Sequence, residues 1–236
     1  MKPVSLPELP PKSSKDVAAK LFPGFEQTEV RTSGATIPVF HRGDGPPVLL
    51  LHGNPETHVT WHKVAAKLMD IAPTLTMYQQ TNQEFATKYM WWFFPIQTAP
   101  LPEHLIGLDP QYYLEEILNG LNKTAGALTP EAVSEYRRCF CCTSTIHATC
   151  EDFRAAADIG LEMDEADERA GNKIVAPVLA LWGARGTVGP LWDVLATWRA
   201  KAASTVTGRS LDCGHFLQEE RPEETFDELQ QFFGTV

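Results

Sequence analysis

The sequence predicts an α/β fold, a strand-and-helix core interrupted by a long helical insertion. Three observations predict it. Strand signals come first, over Glu29 to Thr32, Thr36 to His41 and the wholly apolar Val48 to Leu51. Thr74 to about Gly171 then reads as helix, rich in aromatics. Strands resume only at Val178 to Trp182, and the chain closes in a β-α-β-α order.

Each element has a local reason. Residues 29–32 and 36–41 alternate around a Ser33-Gly34 turn, as a hairpin does. Val48 to Leu51 has no polar position, as expected of a strand buried on both faces. Val59 to Met69 reads as a helix with Trp61, Val64, Ala65 and Leu68 on one side. In the insertion, Pro100, Pro102, Pro110 and Pro130 divide the helices, and Thr129-Pro130 supplies an N-cap with proline in the first turn. Leu191 to Ala203 reads as one helix, Thr205 to Leu211 as a strand, and Glu223 to Phe233 as a closing amphipathic helix. The expected organisation is a first part of the core over 25–73, a helical cap over 74–172 and a second part of the core over 173–236. Only one strand remnant, Met69 to Ala72, is evident between Gly53 and Val178, although a parallel sheet needs repeated βαβ units.

Composition narrows the class. The 236 residues carry a formal net charge of −10 and no Lys/Arg cluster, which excludes a phosphate-backbone partner. Residues 1–16 lack the apolar core of a signal peptide, and no apolar run is long enough to span a bilayer, so the cytoplasm is the expected location. Five cysteines, an odd number, argue against a disulfide framework. Cys139, Cys141 and Cys142 read as a Cys-x-Cys-Cys cluster without a Cys-x-x-Cys spacing or a second pair, so free cysteines in a helical region are expected rather than a metal site. His58 and His62 are four apart, as two helix-borne ligands are, but no third ligand is evident.

Two motifs carry chemistry. The strand ending in His52-Gly-Asn-Pro55 presents backbone N–H groups at the C-terminal edge of the sheet, where they can stabilise an oxyanion. Cys213-Gly-His-Phe216 follows a strand and precedes a helix, which places His215 where a general base is wanted. Cys213 itself has poor geometry for a nucleophile paired with His215.

HGNPETHVTW, residues 52–61, resembles the oxyanion region of α/β-hydrolases related to epoxide hydrolases and dehalogenases. Further runs resemble haloacetate (fluoroacetate) dehalogenases: Asn82-Gln-Glu-Phe-Ala, Leu101-Pro-Glu, His147-Ala-Thr-Cys-Glu-Asp, Ala180-Leu-Trp-Gly and Asp193-Val-Leu-Ala-Thr-Trp. The resemblance covers about Ala35 to Phe233. It implies a Rossmann-like α/β-hydrolase core with a helical cap and a cofactor-free, two-step displacement. An aspartate carboxylate attacks the carbon bearing the halogen, and a histidine then activates water to hydrolyse the ester. By the resemblance His215 is that base. Asp70, in Asp70-Ile-Ala-Pro-Thr74, is the acid that orients it. Trp91, Trp92 and Phe153 stand at substrate and halide positions. Asn54 takes the place of a phenylalanine, as in haloalkane dehalogenases, whose Asn amide holds halide. No metal or other cofactor is implied. The partners expected are a small-molecule substrate and, at most, a second copy of the chain.

One part of the pattern is missing. The nucleophile of this fold sits on a G-x-[S/D/C]-x-G turn, and no two glycines in the chain are four apart. By the resemblance, the strand, elbow and following helix belong between Met69 and Asp70. Their absence predicts little turnover. It also predicts a cut-down sheet that is poorly folded unless the remaining strands re-pair, because each unpaired buried backbone group costs about 1–3 kcal/mol.

Overall fold

The computed structural model describes residues 21–32, 36–43, 57, 60, 74–88 and 93–234. The Val48 to Leu51 strand, the Met69 to Ala72 remnant and, apart from Thr60, the Val59 to Met69 helix lie outside the described residues. So do Asn54, His58, His62, Asp70, Trp91 and Trp92.

β1 (Glu26–Arg31) and β2 (Thr36–His41) form the expected antiparallel pair, with Glu26 opposite His41 and Arg31 opposite Thr36. β1 begins three residues before its sequence pattern. Ladder pairing rather than side-chain alternation sets that start, since most of both strands is exposed.

Seven helices follow among the described residues: α1 (Thr74–Gln79), α2 (Gln83–Lys88), α3 (Leu101–Leu108), α4 (Pro110–Leu121), α5 (Pro130–Phe140), α6 (Thr143–Ala157) and α7 (Ile159–Ala170). Prolines mark the first turns of α3, α4 and α5, where a missing N–H costs no helical bond. Side chains supply the caps. Asp109 accepts from the Tyr112 N–H at 3.0 Å, and Thr129 from Ala132 at 3.2 Å. The helices bury Ile106, Leu114, Tyr136, Phe140 and Ile146 around Phe216, which comes from the far end of the chain. Phe93 and Phe94, the described half of the Trp91 to Phe94 run, also pack against core clusters.

The chain continues with β3 (Val178–Gly183), α8 (Val188–Leu191), α9 (Val194–Lys201), β4 (Val206–Leu211), α10 (Leu217–Glu220) and α11 (Pro222–Phe233). β3 and β4 pair in parallel, Val178 beside Val206 through Gly183 beside Leu211, so the segment between them is a βαβ crossover. Among the described residues each of these strands has the other as its ladder partner. The helix expected over Leu191 to Ala203 is instead the shorter α9, and Leu191 ends a separate short helix, α8. Asp193 caps α9 by accepting from Ala196 at 3.0 Å, and Trp192 is extended, its ring 5.1 Å from that of Phe85. A capping side chain and a buried aromatic anchor together outweigh helical continuity.

Two glycines fix the backbone packing here. Gly208 has φ +137, and a Cβ there would lie 1.8 Å from the Ala180 carbonyl oxygen. Gly183 closes β3 directly against the loop after β4, where a Cβ would lie 1.7 Å from the Gly214 oxygen. Among the described residues no helix is long and apolar enough to cross a membrane.

Candidate active site

His215 occupies the loop between β4 and α10, at the C-terminal end of a parallel strand. That is where an α/β sheet gathers its functional groups. The loop is held from several sides. The His215 backbone N–H donates to the Leu121 carbonyl at 3.0 Å, which ties the loop to the end of α4. The Glu220 carboxylate accepts from the backbone N–H groups of Gly214 at 2.9 Å, Phe216 at 3.2 Å and Lys123 at 3.0 Å. One buried carboxylate therefore satisfies three donors that the turn leaves without helical or ladder partners. Beside it, the Tyr136 hydroxyl donates to Glu219 Oε1 at 2.7 Å, fully buried.

The β3 end completes the frame. The Arg185 backbone N–H donates to Cys213 O at 2.9 Å, and its guanidinium reaches the carbonyls of Lys123 at 2.8 Å and Asp212 at 2.7 Å.

The His215 ring is half-buried and stands edge-on to Phe216, with centroids 5.3 Å apart. Burial lowers its pKa below the ordinary 6.5, and the Glu220 charge only partly opposes that shift. The imidazole is consequently neutral at neutral pH, the state a base needs. Among the described residues no carboxylate hydrogen-bonds to the imidazole, because the Glu220 oxygens are engaged by backbone donors. Cys213 is fully buried, and burial pushes its thiol up to about 12, which leaves it no thiolate with which to act as a nucleophile.

Gln218 Nε2 donates to Thr60 Oγ1 at 2.6 Å, and both side chains are buried. Thr60 thus meets the helix that follows the histidine loop; His52 to Asn54 lie outside the described residues. Of the positions drawn from the resemblance, Phe153 is described, half-buried on α6.

The sequence reading missed Glu220. Its signal was an acidic residue in the first turn of a helix, placed to reach back to the N–H groups before it. A second missed cluster is Glu103, His147 and Glu151, whose ligand atoms lie within 4.8 Å of one another. Arg154 occupies it, bonded to Glu103 and to Glu151, the latter at 2.6 Å. Although burial opposes it, the Arg154 bond holds the Glu103 pKa below its ordinary value. Arg154 therefore already pairs with both carboxylates of the cluster.

Solved structures of high similarity share this arrangement of elements. ALR0039 from Nostoc sp. PCC 7120, assigned as an α/β-hydrolase, is 40% identical with a TM-score of 0.84, over 89% of this chain and 98% of that one. A Salmonella enterica protein assigned as an acyltransferase is 35% identical with a TM-score of 0.85, over 91% and 96%. A mutant of a Pseudomonas aeruginosa protein assigned as an epoxide hydrolase, with bound MFA, is 27% identical with a TM-score of 0.84, over 91% and 97%. The chain belongs to the α/β-hydrolases.

Among curated proteins, a fluoroacetate dehalogenase of Burkholderia sp. is 33% identical over 166 residues, 70% of this chain and 54% of that protein. A soluble epoxide hydrolase of Corynebacterium sp. (strain C12) is 30% identical over 159 residues, 61% and 53%. The chain spans about half the length of the curated relatives it matches. No family model matches it.

Proposed function

We propose that this chain is a haloacetate dehalogenase-type hydrolase that retains the base half of the machinery and lacks the nucleophile. The observation that carries the reading is His215, neutral on a loop fixed by Glu220, in a chain without a G-x-x-x-G elbow. The relatives named as fluoroacetate dehalogenase and epoxide hydrolase support the substrate class.

In the complete reaction a carboxylate displaces halide from the carbon next to the substrate carboxylate and forms an ester. A neutral histidine then takes a proton from water as the water attacks that ester. His215 suits the second step, and Asp70 is its proposed orienting acid. Asn54, Trp91, Trp92 and Phe153 are the proposed surroundings of substrate and leaving group. Without the glycine-flanked elbow the first step is impaired, so the proposed chain turns over a small haloacid only weakly.

The test is halide release from fluoroacetate and chloroacetate by the purified full chain. Little release is expected. Turnover that His215→Ala abolishes would overturn the claim that the nucleophile is lacking. A second reading, epoxide opening, rests on the Corynebacterium relative and is tested in parallel with a terminal epoxide and diol detection. A third is a non-catalytic product with an internal excision. Sequencing the transcript across Met69–Asp70 tests it, and a continuous coding sequence would remove it.

A further inference from the structure

We propose that Cys142 and Cys139 form a thiol–disulfide exchange site for low-molecular-weight disulfides, Cys142 attacking and Cys139 resolving. The two are a Cys-x-x-Cys pair, Cys139-Phe-Cys-Cys142, a spacing hidden in the sequence by the intervening Cys141. All the cysteines are free thiols.

Geometry brings the pair together where α5 ends and α6 begins. Cys139 lies in the last turn of α5, and Cys142 is the N-cap of the 15-residue α6. Cys141 is the C-cap of α5 and the extended Cys142 opens α6, so a single turn joins the two thiol-bearing positions. Cys142 Sγ lies 3.4 Å from the Cys139 backbone carbonyl oxygen, which puts the attacking sulfur beside the residue that bears the resolving one. Joining Cys142 to its neighbour Cys141 would instead strain the peptide between them.

The surroundings assign different roles to the two sulfurs. Cys142 is exposed, with Thr145 Oγ1 at 2.7 Å and Ser144 Oγ at 3.4 Å. Those hydroxyls can donate to a thiolate, and the positive end of α6 favours one. Partial burial opposes ionisation, but the Ser144 and Thr145 hydrogen bonds and the Arg138 charge outweigh it, so the Cys142 pKa is lowered. Burial pushes Cys139 up to about 12 and also raises Cys141. Cys139 Sγ meets Glu135 Oε1 at 3.6 Å and Arg138 Nη2 at 3.1 Å, which gives its proton an acceptor and its developing negative charge a donor.

The steps balance. Cys142 thiolate attacks one sulfur of the disulfide, forming a mixed disulfide and expelling a thiolate, which takes up the proton Cys142 released. Cys139 then attacks Cys142 Sγ and expels the second thiolate, its own proton passing by way of Glu135 to that leaving group. Two protein thiols are oxidised to one disulfide, and the external disulfide is reduced to two thiols.

The experiment treats the full chain with oxidised glutathione and maps the peptides by mass spectrometry. A Cys139–Cys142 disulfide, two hydrogens lighter than the dithiol, is expected. Cys139→Ser should trap glutathione on Cys142, and Cys141→Ser should leave the disulfide intact. Without any substitution, iodoacetamide should label Cys142 more than tenfold faster than Cys139, whose thiol burial pushes up to about 12, and faster than Cys141. Equal or faster labelling of the other two would overturn the proposal. So would glutathione persisting on Cys142 in the unsubstituted chain, or loss of the disulfide in Cys141→Ser.

Discussion

Gln218 and Thr60 stand 158 positions apart in the chain and share a buried hydrogen bond of 2.6 Å. Through it Thr60 is fastened to the helix that follows His215. Thr60→Val removes the acceptor of a buried Gln218 N–H, which costs about 1–3 kcal/mol. Gln218→Ala should cost a similar amount, and the double variant less than the sum of the two. Urea denaturation of the four proteins checks this, and strictly additive losses would show that the pair is uncoupled.

The Glu220 carboxylate organises the histidine loop. Glu220→Ala would strip the acceptor from three backbone donors and should cost about 3 kcal/mol or more, since each orphaned buried group costs about 1–3 kcal/mol. Glu220→Gln keeps one acceptor oxygen and should lose less. Equilibrium unfolding ranks the two variants, and equal losses would count against the carboxylate's role.

Tyr136→Phe removes the hydroxyl that donates to Glu219 at 2.7 Å in the core. A hydrogen bond to a charged group contributes about 1.5–3 kcal/mol, and the lowered midpoint should be visible in a thermal melt. A variant melting with the parent would show that water replaces the hydroxyl.

Gly183→Ala and Gly208→Ala both place a methyl group inside a carbonyl's contact distance. Each should cost about 3 kcal/mol or more, because the atoms met are backbone and cannot rotate away. Loss of cooperative melting or of soluble expression is the expected result, and near-parental stability would mean that the strands part without penalty.

His215 makes stability depend on pH. Its folded pKa lies below the unfolded 6.5, so the unfolded chain takes the proton first as pH falls. The contribution is fully present above 6.5 and is lost as pH falls through the folded pKa. Glu103 is lowered from 4.5, and its effect falls in a more acidic window. Denaturation midpoints measured between about pH 7 and pH 5 should decline in the parent and decline less in His215→Gln. Identical slopes would refute the assignment.

How much of this was legible in advance varied with the range of the forces involved. The Thr129 and proline helix starts, the β1–β2 hairpin and the β3-to-β4 crossover were readable, because capping, fixed φ and apolar runs act within a few residues. The break at Trp192-Asp193 was not, because it depends on Trp192 finding Phe85, which is remote in sequence. The Cys139–Cys142 pair was written in the sequence, but its asymmetry came from which sulfur the fold left exposed.

The sequence by itself determined the order of elements, the family resemblance, the place of His215 before the last helices and the absence of a glycine-flanked elbow. Tertiary structure alone decided that Glu220 anchors the histidine loop, that Gln218 meets Thr60, and that burial keeps the imidazole neutral. The physical reason is distance: propensity and periodicity are local, whereas desolvation and buried hydrogen bonds depend on which distant segments exclude water together.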